Sequence, residues 1–220
     1  MSESLYIPQS YDTVIVANGE PPAHPEALRL LREARTVVCC DGAVSGLLAL
    51  GTEPTVIVGD GDSITPELAV RFADRLCPDR SEEYNDLTKA VNYCEARGVR
   101  RFAILGGGGR REDHLLGNIS LLVGYSRKFD AVMVTNFGIF TPIHQTTTFA
   151  CRVGQPVSVF SFTPETRITY HNLHYPVNLR RFSQLWEGTL NVTDAEMFTI
   201  ELHDEGDVIV YQAFTNNNDD

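Results

Sequence analysis

The stretch Thr55-Val56-Ile57-Val58-Gly59-Asp60-Gly61-Asp62-Ser63-Ile64-Thr65-Pro66 is an apolar run that ends in an acidic turn and then in a helix start. Consecutive β-branched residues without polar alternation predict a strand buried on both faces. Thr65 and Pro66 supply an N-cap and a first-turn proline, with Leu68, Phe72 and Leu76 spaced by four beyond them. The same grammar extends in both directions. Thr13–Ala17 and Thr36–Cys40 read as earlier buried strands, separated by a helix that opens at Pro25 and carries Leu28 and Leu31 on one face. Val44 to Leu50 is a short helix closed by Gly51. Downstream, Asn85 caps a helix with Leu87, Ala90, Val91 and Cys94 at helical spacing, which ends at Gly98. Phe102–Leu105 is a strand running into four glycines, Gly106–Gly109. Asp113 to Tyr125 is a helix, and Ala131–Thr135 a strand. Unalternated strands separated by helices predict a parallel sheet covered on both faces.

After Phe137 the texture changes. Thr146–Cys151, Val157–Phe162, Phe198–Leu202 and Val208–Tyr211 read as strands, several of them alternating apolar and polar residues. Gly154, Gly188 and Asp204–Asp207 supply turns, and the one candidate helical period runs from Arg180 to Trp186. Alternation predicts antiparallel sheets with one wet face. The expected organisation is an α/β domain over residues 1–138 and a smaller all-β sandwich or jelly-roll-like domain over 139–220. The tail Thr215–Asp220 is read as frayed.

Composition narrows the function. The chain has 220 residues, 43% hydrophobic and 21% charged, enough apolar content for a packed core. Its 18 basic and 29 acidic side chains give a net charge of −11. That balance argues against a nucleic-acid or anionic-membrane binder, which needs a basic face. It leaves room for a single nucleotide held by local donors and a metal ion. The start, Met1 to Tyr6, has no basic or apolar stretch and is not read as a secretory signal, and no apolar run approaches the ~20 residues that cross a bilayer. Cys39, Cys40, Cys77, Cys94 and Cys151 contain no C-x-x-C pair, so reduced cysteines and a cytoplasmic setting are expected.

The acids fall in informative places. Asp41 follows the second strand, Asp60 and Asp62 follow the third, Asp86 opens the Asn85-capped helix, and Asp113 opens the helix after the glycines. In an open α/β sheet, ligands bind beyond the carboxyl ends of the strands. Acids that converge there repel unless a cation sits among them, and Mg²⁺ takes a few carboxylates plus substrate phosphates. Taken alone, Asp60-Gly61-Asp62-Ser63 could equally be an acidic turn before a capped helix. The glycine run lets a backbone approach a phosphate, although it matches neither a Walker A loop nor G-x-G-x-x-G. Arg110, Arg111, Asp113 and His114 follow it, and an arginine there can take phosphate oxygens in pairs.

In order, these pieces resemble the thiamine pyrophosphokinase family. Its motifs D-G-(G)-A, G-D-x-D-S, T-D-x-x-K-A and G-G-R-x-D-H-x-x-x-N-I are matched by four segments of this chain. They are Asp41-Gly42-Ala43, Gly59–Ser63, Asp86 with Lys89-Ala90, and Gly109 with Arg111, Asp113, His114, Asn118 and Ile119. The match covers about residues 12 to 135. Leu173–Val177 resembles an aromatic segment of the family's second domain, and Gly188–Asn191 its S-N segment. Asn85 stands where the family has Thr, Arg110 where it has Gly, and Leu190 where it has Ser, with the hydroxyl of Thr189 next door.

The resemblance implies a Rossmann-like α/β domain followed by a β domain. The implied activity is transfer of the pyrophosphoryl group of ATP to the hydroxyl of thiamine, giving thiamine diphosphate and AMP, with Mg²⁺. It assigns Asp60 and Asp62 as main metal ligands, with Asp41 and Asp86 as further ligands or, for one of them, the base. Gly109, Arg111, Asp113, His114, Lys89 and Asn118 would serve the nucleotide. Tyr175, Trp186, Thr189 and Asn191 would surround thiamine, although core packing is an equal reading of the sole tryptophan and also fits Tyr175. It also implies a homodimer with active sites at the subunit interface. Two rival readings are a pyrophosphokinase for another alcohol, such as a hydroxymethylpterin, and a non-catalytic nucleotide sensor with the β domain as effector.

Overall fold

The computed structural model describes residues 10–214, so the tail from Thr215 lies outside the described residues. The chain divides into two compact units, one ending at Asn136 and the other beginning at Phe137.

The first unit alternates strands and helices: β1 (Thr13–Val16), α1 (Pro25–Glu33), β2 (Thr36–Cys40), α2 (Val44–Ala49), β3 (Val56–Gly59), α3 (Pro66–Arg71), β4 (Leu76–Pro78), α4 (Asp86–Ala96), β5 (Arg101–Leu105), α5 (Glu112–Tyr125) and β6 (Asp130–Val134). All six strands run parallel in the order β4-β3-β2-β1-β5-β6. The unalternated strands are buried on both faces, with Val14, Ile15, Val38 and Ile104 fully inaccessible. Helix α1 turns Ala27, Leu30 and Leu31 inward, while Leu28, expected on that face, is half-buried. Helix α4 buries Leu87, Ala90, Val91 and Cys94. Its N-cap is Asn85, whose Oδ1 accepts from Thr88 N at 2.9 Å.

The helix capped by Thr65 is shorter than its spacing suggested. It stops at Arg71, Phe72 turns inward as its C-cap, and Leu76 begins the edge strand β4. At three residues, β4 is too short to announce itself by pattern.

The second unit is all β: β7 (Gly138–Ile143), β8 (Thr147–Ala150), β9 (Pro156–Ser161), β10 (Ile168–His171), β11 (Asn191–Val192), β12 (Met197–Leu202) and β13 (Val208–Ala213). Two antiparallel sheets, β11-β9-β13-β7 and β10-β12-β8, enclose one core. Alternation does the sorting. Val157 and Val159 of β9, Ile168 and Tyr170 of β10, and Phe198 and Ile200 of β12 all point into that core. Strands β7, β10 and β11 were not legible. Pro142 interrupts the pattern of β7, and β10 and β11 are only four and two residues long. The helical period from Arg180 to Trp186 forms no α-helix. A single 3₁₀ turn, Leu185–Gly188, stands there, capped reciprocally by Gln184 and Glu187. No helix among the described residues is long and apolar enough to cross a membrane.

Phe198 is fully buried and stacks on Phe149 with ring centroids 5.0 Å apart. Phe198→Ala should therefore cost roughly 3–5 kcal/mol in urea unfolding. Val70→Ala, at a site 79% exposed, should change stability by less than about 0.5 kcal/mol.

Candidate active site

Strand order in the first unit reverses between β1 and β5. Loops leaving these neighbours diverge, so a crevice opens beyond their carboxyl ends. A cavity of about 610 Å³ lies there. Ala17, Asn18 and Gly19 line it after β1, Gly107 and Gly108 after β5, and Cys40 at the end of β2. Asn85, Asp86 and Leu87 close it from the start of α4.

The two loops are laced together by backbone. Gly19 N donates to Gly106 O and Glu20 N to Gly108 O, each at 2.7 Å. A side chain at position 19 would overlap the carbonyls of Gly106 and Gly108, so close approach requires glycine there. Gly109 adopts φ +88°, which turns the chain toward α5. Asn118 lines the cavity, and its Nδ2 donates to Gly107 O at 2.8 Å, so its amide shapes the glycine loop.

Arg110, Arg111, Asp113 and His114 stand on the same wall. Arg111 pairs with Asp113 at 2.6 Å, and this hydrogen bond holds the exposed Asp113 carboxyl below the usual range. Asp113 Oδ1 also accepts from His114 N at 2.9 Å. Arg110 donates to Asn18 Oδ1 at 3.0 Å. Sequence reasoning noted Arg110 as a candidate phosphate donor but assigned no role to Asn18. Asn18 follows a strand end, so the strand-end rule could have found it.

A second cavity, about 660 Å³, is lined by Asp60, Asp62, Asp86 and Lys89 together with Arg80, Ser81, Glu82, Tyr84 and Asn85. Asn85 and Asp86 border both cavities. Lys89 is buried, with Nζ 3.2 Å from Asp86 Oδ1 and 4.0 Å from Asp60 Oδ2. Burial pulls its pKa down, but the hydrogen bond to Asp86 and the charges of Asp86, Asp60 and Asp79 outweigh burial and hold it above the ordinary value. Asp60 Oδ1 accepts from Asp62 N at 3.0 Å, which with the nearby ammonium keeps the Asp60 carboxyl low.

Asp41 does not line this cavity, but its carboxyl lies close enough to Asp60 and Asp86 for their charges to act on it. It is buried, its Oδ1 accepts from Gly42 N at 2.6 Å and its Oδ2 from Gly61 N at 3.0 Å. Burial raises its pKa, against the pull of those N–H groups. The carboxylate lies on Gly59, where a Cβ would collide with it. So Asp60, Asp62 and Asp86 line one cavity, and Asp41 lies beside them, where it also braces the Gly59–Gly61 turn. Among the described residues no three His, Cys, Asp or Glu side chains form a ready-made metal cage. The donor set of the cavity nonetheless fits a hard cation: carboxylate oxygens with no competing sulfur or imidazole. A site completed by substrate phosphates needs only one or two of those carboxylates.

In the second unit, Tyr175 and Trp186 are 61% and 72% exposed, so neither packs the core. Asn191 is buried, and its side chain bonds to the backbone of the neighbouring strand and loop. Nδ2 donates to Tyr175 O at 2.8 Å, while Oδ1 accepts from Tyr175 N at 3.0 Å and Val192 N at 2.9 Å. Asn191 thus fixes Tyr175. Thr189 Oγ1 donates to Trp186 O at 2.7 Å and closes the 3₁₀ turn.

Residues 27–134 match the thiamin pyrophosphokinase catalytic domain, and residues 138–211 match the thiamin pyrophosphokinase substrate-binding domain. No curated protein sequence matches significantly. Among solved structures, the Bacillus subtilis thiamine pyrophosphokinase superimposes with a TM-score of 0.79 at 20% identity, over 93% of this chain and 99% of that one. The Candida albicans enzyme gives 0.77 at 16% identity, over 98% and 97%. The yeast enzyme gives 0.74 at 14% identity, over 96% and 89%. At such identities these likenesses speak for the fold, whereas the two domain matches lie end to end over both units. The chain belongs to the thiamin pyrophosphokinase family.

Proposed function

We propose that the chain transfers the pyrophosphoryl group of Mg·ATP to the hydroxyl of thiamine, with nucleotide in the glycine-lined cleft and the transferred group in the acidic cavity. The observation that carries this reading is Asp86, which borders both cavities. A phosphate chain that leaves the cleft past Asp86 enters the acid-lined space. The match of residues 138–211 to a thiamin substrate-binding domain favours thiamine over a pterin alcohol as acceptor.

In the reaction the thiamine oxygen bonds to the β-phosphorus. The bond from that phosphorus to the α–β bridging oxygen breaks, and AMP leaves with the oxygen. Phosphoryl chemistry of this kind asks a protein mainly for positioning and charge neutralisation. Bound at Asp60 and Asp62, Mg²⁺ would neutralise phosphate charge. Lys89 holds Asp86 and Asp60 in place. Arg110 and Arg111 offer N–H donors at the cleft wall, and Gly109, Asp113, His114 and Asn118 shape that wall. Asp86, which borders both cavities, receives the hydroxyl proton in this reading, whereas Asp41 lines neither. Tyr175 and Trp186 offer exposed aromatic faces suited to a cationic thiazolium ring. The proposal includes a homodimer, testable by sedimentation, and a cytoplasmic location, which unpaired cysteines throughout the described chain support.

The deciding assay supplies thiamine and Mg·ATP and identifies the nucleotide product. AMP with thiamine diphosphate is expected, and ADP would reject the reaction.

Asp62→Asn should lower kcat by roughly 10²-fold or more, since it removes charge from the metal-bearing turn. Its melting temperature should hold or rise without Mg²⁺, as carboxylate repulsion eases. Steady-state rates and a melting curve check both.

Tyr175→Ala should raise the KM for thiamine about tenfold, the size of a desolvated cation–π contact, and leave the KM for ATP unchanged. Asn191→Ala should act the same way by releasing Tyr175. The double variant should then be little worse than either single one, because both remove one contact. Additive losses would show that the two residues act independently.

A further inference from the structure

The acidic cavity contains a cation that the roles above leave unused. Arg80 stands on the segment between β4 and α4 and lines the cavity with Asp60, Asp62, Glu82 and Asp86. Lys89, the other cation there, is locked between Asp86 and Asp60. Arg80 is exposed and, among the described residues, forms no ion pair with any of the surrounding carboxylates. A guanidinium placed only to balance those acids would be expected to close on one of them, as Arg111 does on Asp113.

The backbone that carries Arg80 is tied down on both sides. Asp79 N donates to Gly59 O at 2.8 Å, which extends the β3–β4 pairing and fixes position 80 beside the Asp60 turn. Asp79 Oδ1 accepts from Ser81 N at 3.0 Å, and Ser81 Oγ accepts from Glu83 N at 3.3 Å. Asn85 then caps α4. So the arginine has a defined root and a side chain available to a ligand. Its planar fork matches the non-bridging oxygens of a phosphate in a way that an ammonium does not.

We propose that Arg80 grips the pyrophosphoryl group itself, donating paired N–H bonds to its non-bridging oxygens while it passes from AMP to the acceptor. This inference rests on the reaction proposed above. In that step one O–P bond forms at the β-phosphorus and one breaks, the hydroxyl proton passes to Asp86, and Arg80 stays protonated throughout. Because Arg80 lines only the second cavity, it contacts the group that moves and not the adenosine monophosphate that leaves. That division separates it from Arg110 and Arg111, which line the cleft.

The test is calorimetry on the full chain with Mg²⁺, titrating inorganic pyrophosphate and, separately, AMP. Arg80→Ala should weaken pyrophosphate binding roughly tenfold or more, the loss expected for charge-assisted hydrogen bonds. AMP affinity should stay within about twofold, and Arg80→Lys should recover only part of the loss. Arg80→Gln, which keeps the side chain's bulk, serves if the alanine variant does not fold. Unchanged pyrophosphate affinity in a folded variant would overturn the proposal, as would equal weakening of both ligands. Full recovery with lysine would reject the paired-donor contact. If the unmodified chain binds pyrophosphate through Arg80 but releases no AMP from thiamine and Mg·ATP, the reaction reading fails while the Arg80 contact stands.

Discussion

Carboxylates gathered at one edge of a parallel sheet repel, and in this chain a buried ammonium holds them together. Lys89 Nζ reaches Asp86 and Asp60 from within α4. Two unit charges about 4 Å apart exchange roughly 4 kcal/mol near a protein surface, so the sign of the middle charge matters. Without it the acids would splay or take up protons. Everything around the site follows from where α4 begins. The Asn85 cap fixes that start, Asp86 then lies one residue inside, and Lys89 follows one turn later on the same face. The two cavities share this helix start, and so does the path proposed for the phosphate chain.

The second unit solves a different problem, that of keeping apolar groups in view. Asn172, Leu179 and Leu190 adopt φ values of 62°, 51° and 62°. For leucine this region costs about 1–2 kcal/mol, and it persists only where the surroundings enforce it. The enforcement is visible. Arg180 and Ile168 exchange backbone hydrogen bonds, Leu179 N donates to Thr169 Oγ1, and Asn191 clamps Tyr175. The product is a loop braced by these bonds, with Tyr175, Trp186 and Leu190 exposed on it. These exposed aromatic faces are the ones proposed above to meet thiamine.

Much of the α/β unit was legible because its strands are unalternated and its helices carry their own caps and stops. Thr65, Asn85, Gly51 and Gly98 all do what their residue types suggest. The losses were short elements. β4 hid inside the tail of a helical spacing, and with it went the segment bearing Arg80 and Tyr84. The β unit was less legible, since two- to four-residue strands and a proline-bearing strand give period-2 reasoning too little to count.

Most strands and helices of the α/β unit, the acids at strand ends, the glycine loop and the family those motifs resemble were all written in the chain. Those are local properties, written in runs of a few residues and in their spacing. How each polar group is used came from the folded arrangement. It turned Asp41 toward the Gly42 and Gly61 amides, set Lys89 between two acids, gave Asn191 to the Tyr175 backbone and left Arg80 facing a cavity. The physical reason is that a carboxylate, an amide or a guanidinium takes its role from the partners that long-range packing brings within hydrogen-bond reach, and a one-dimensional pattern does not contain those distances.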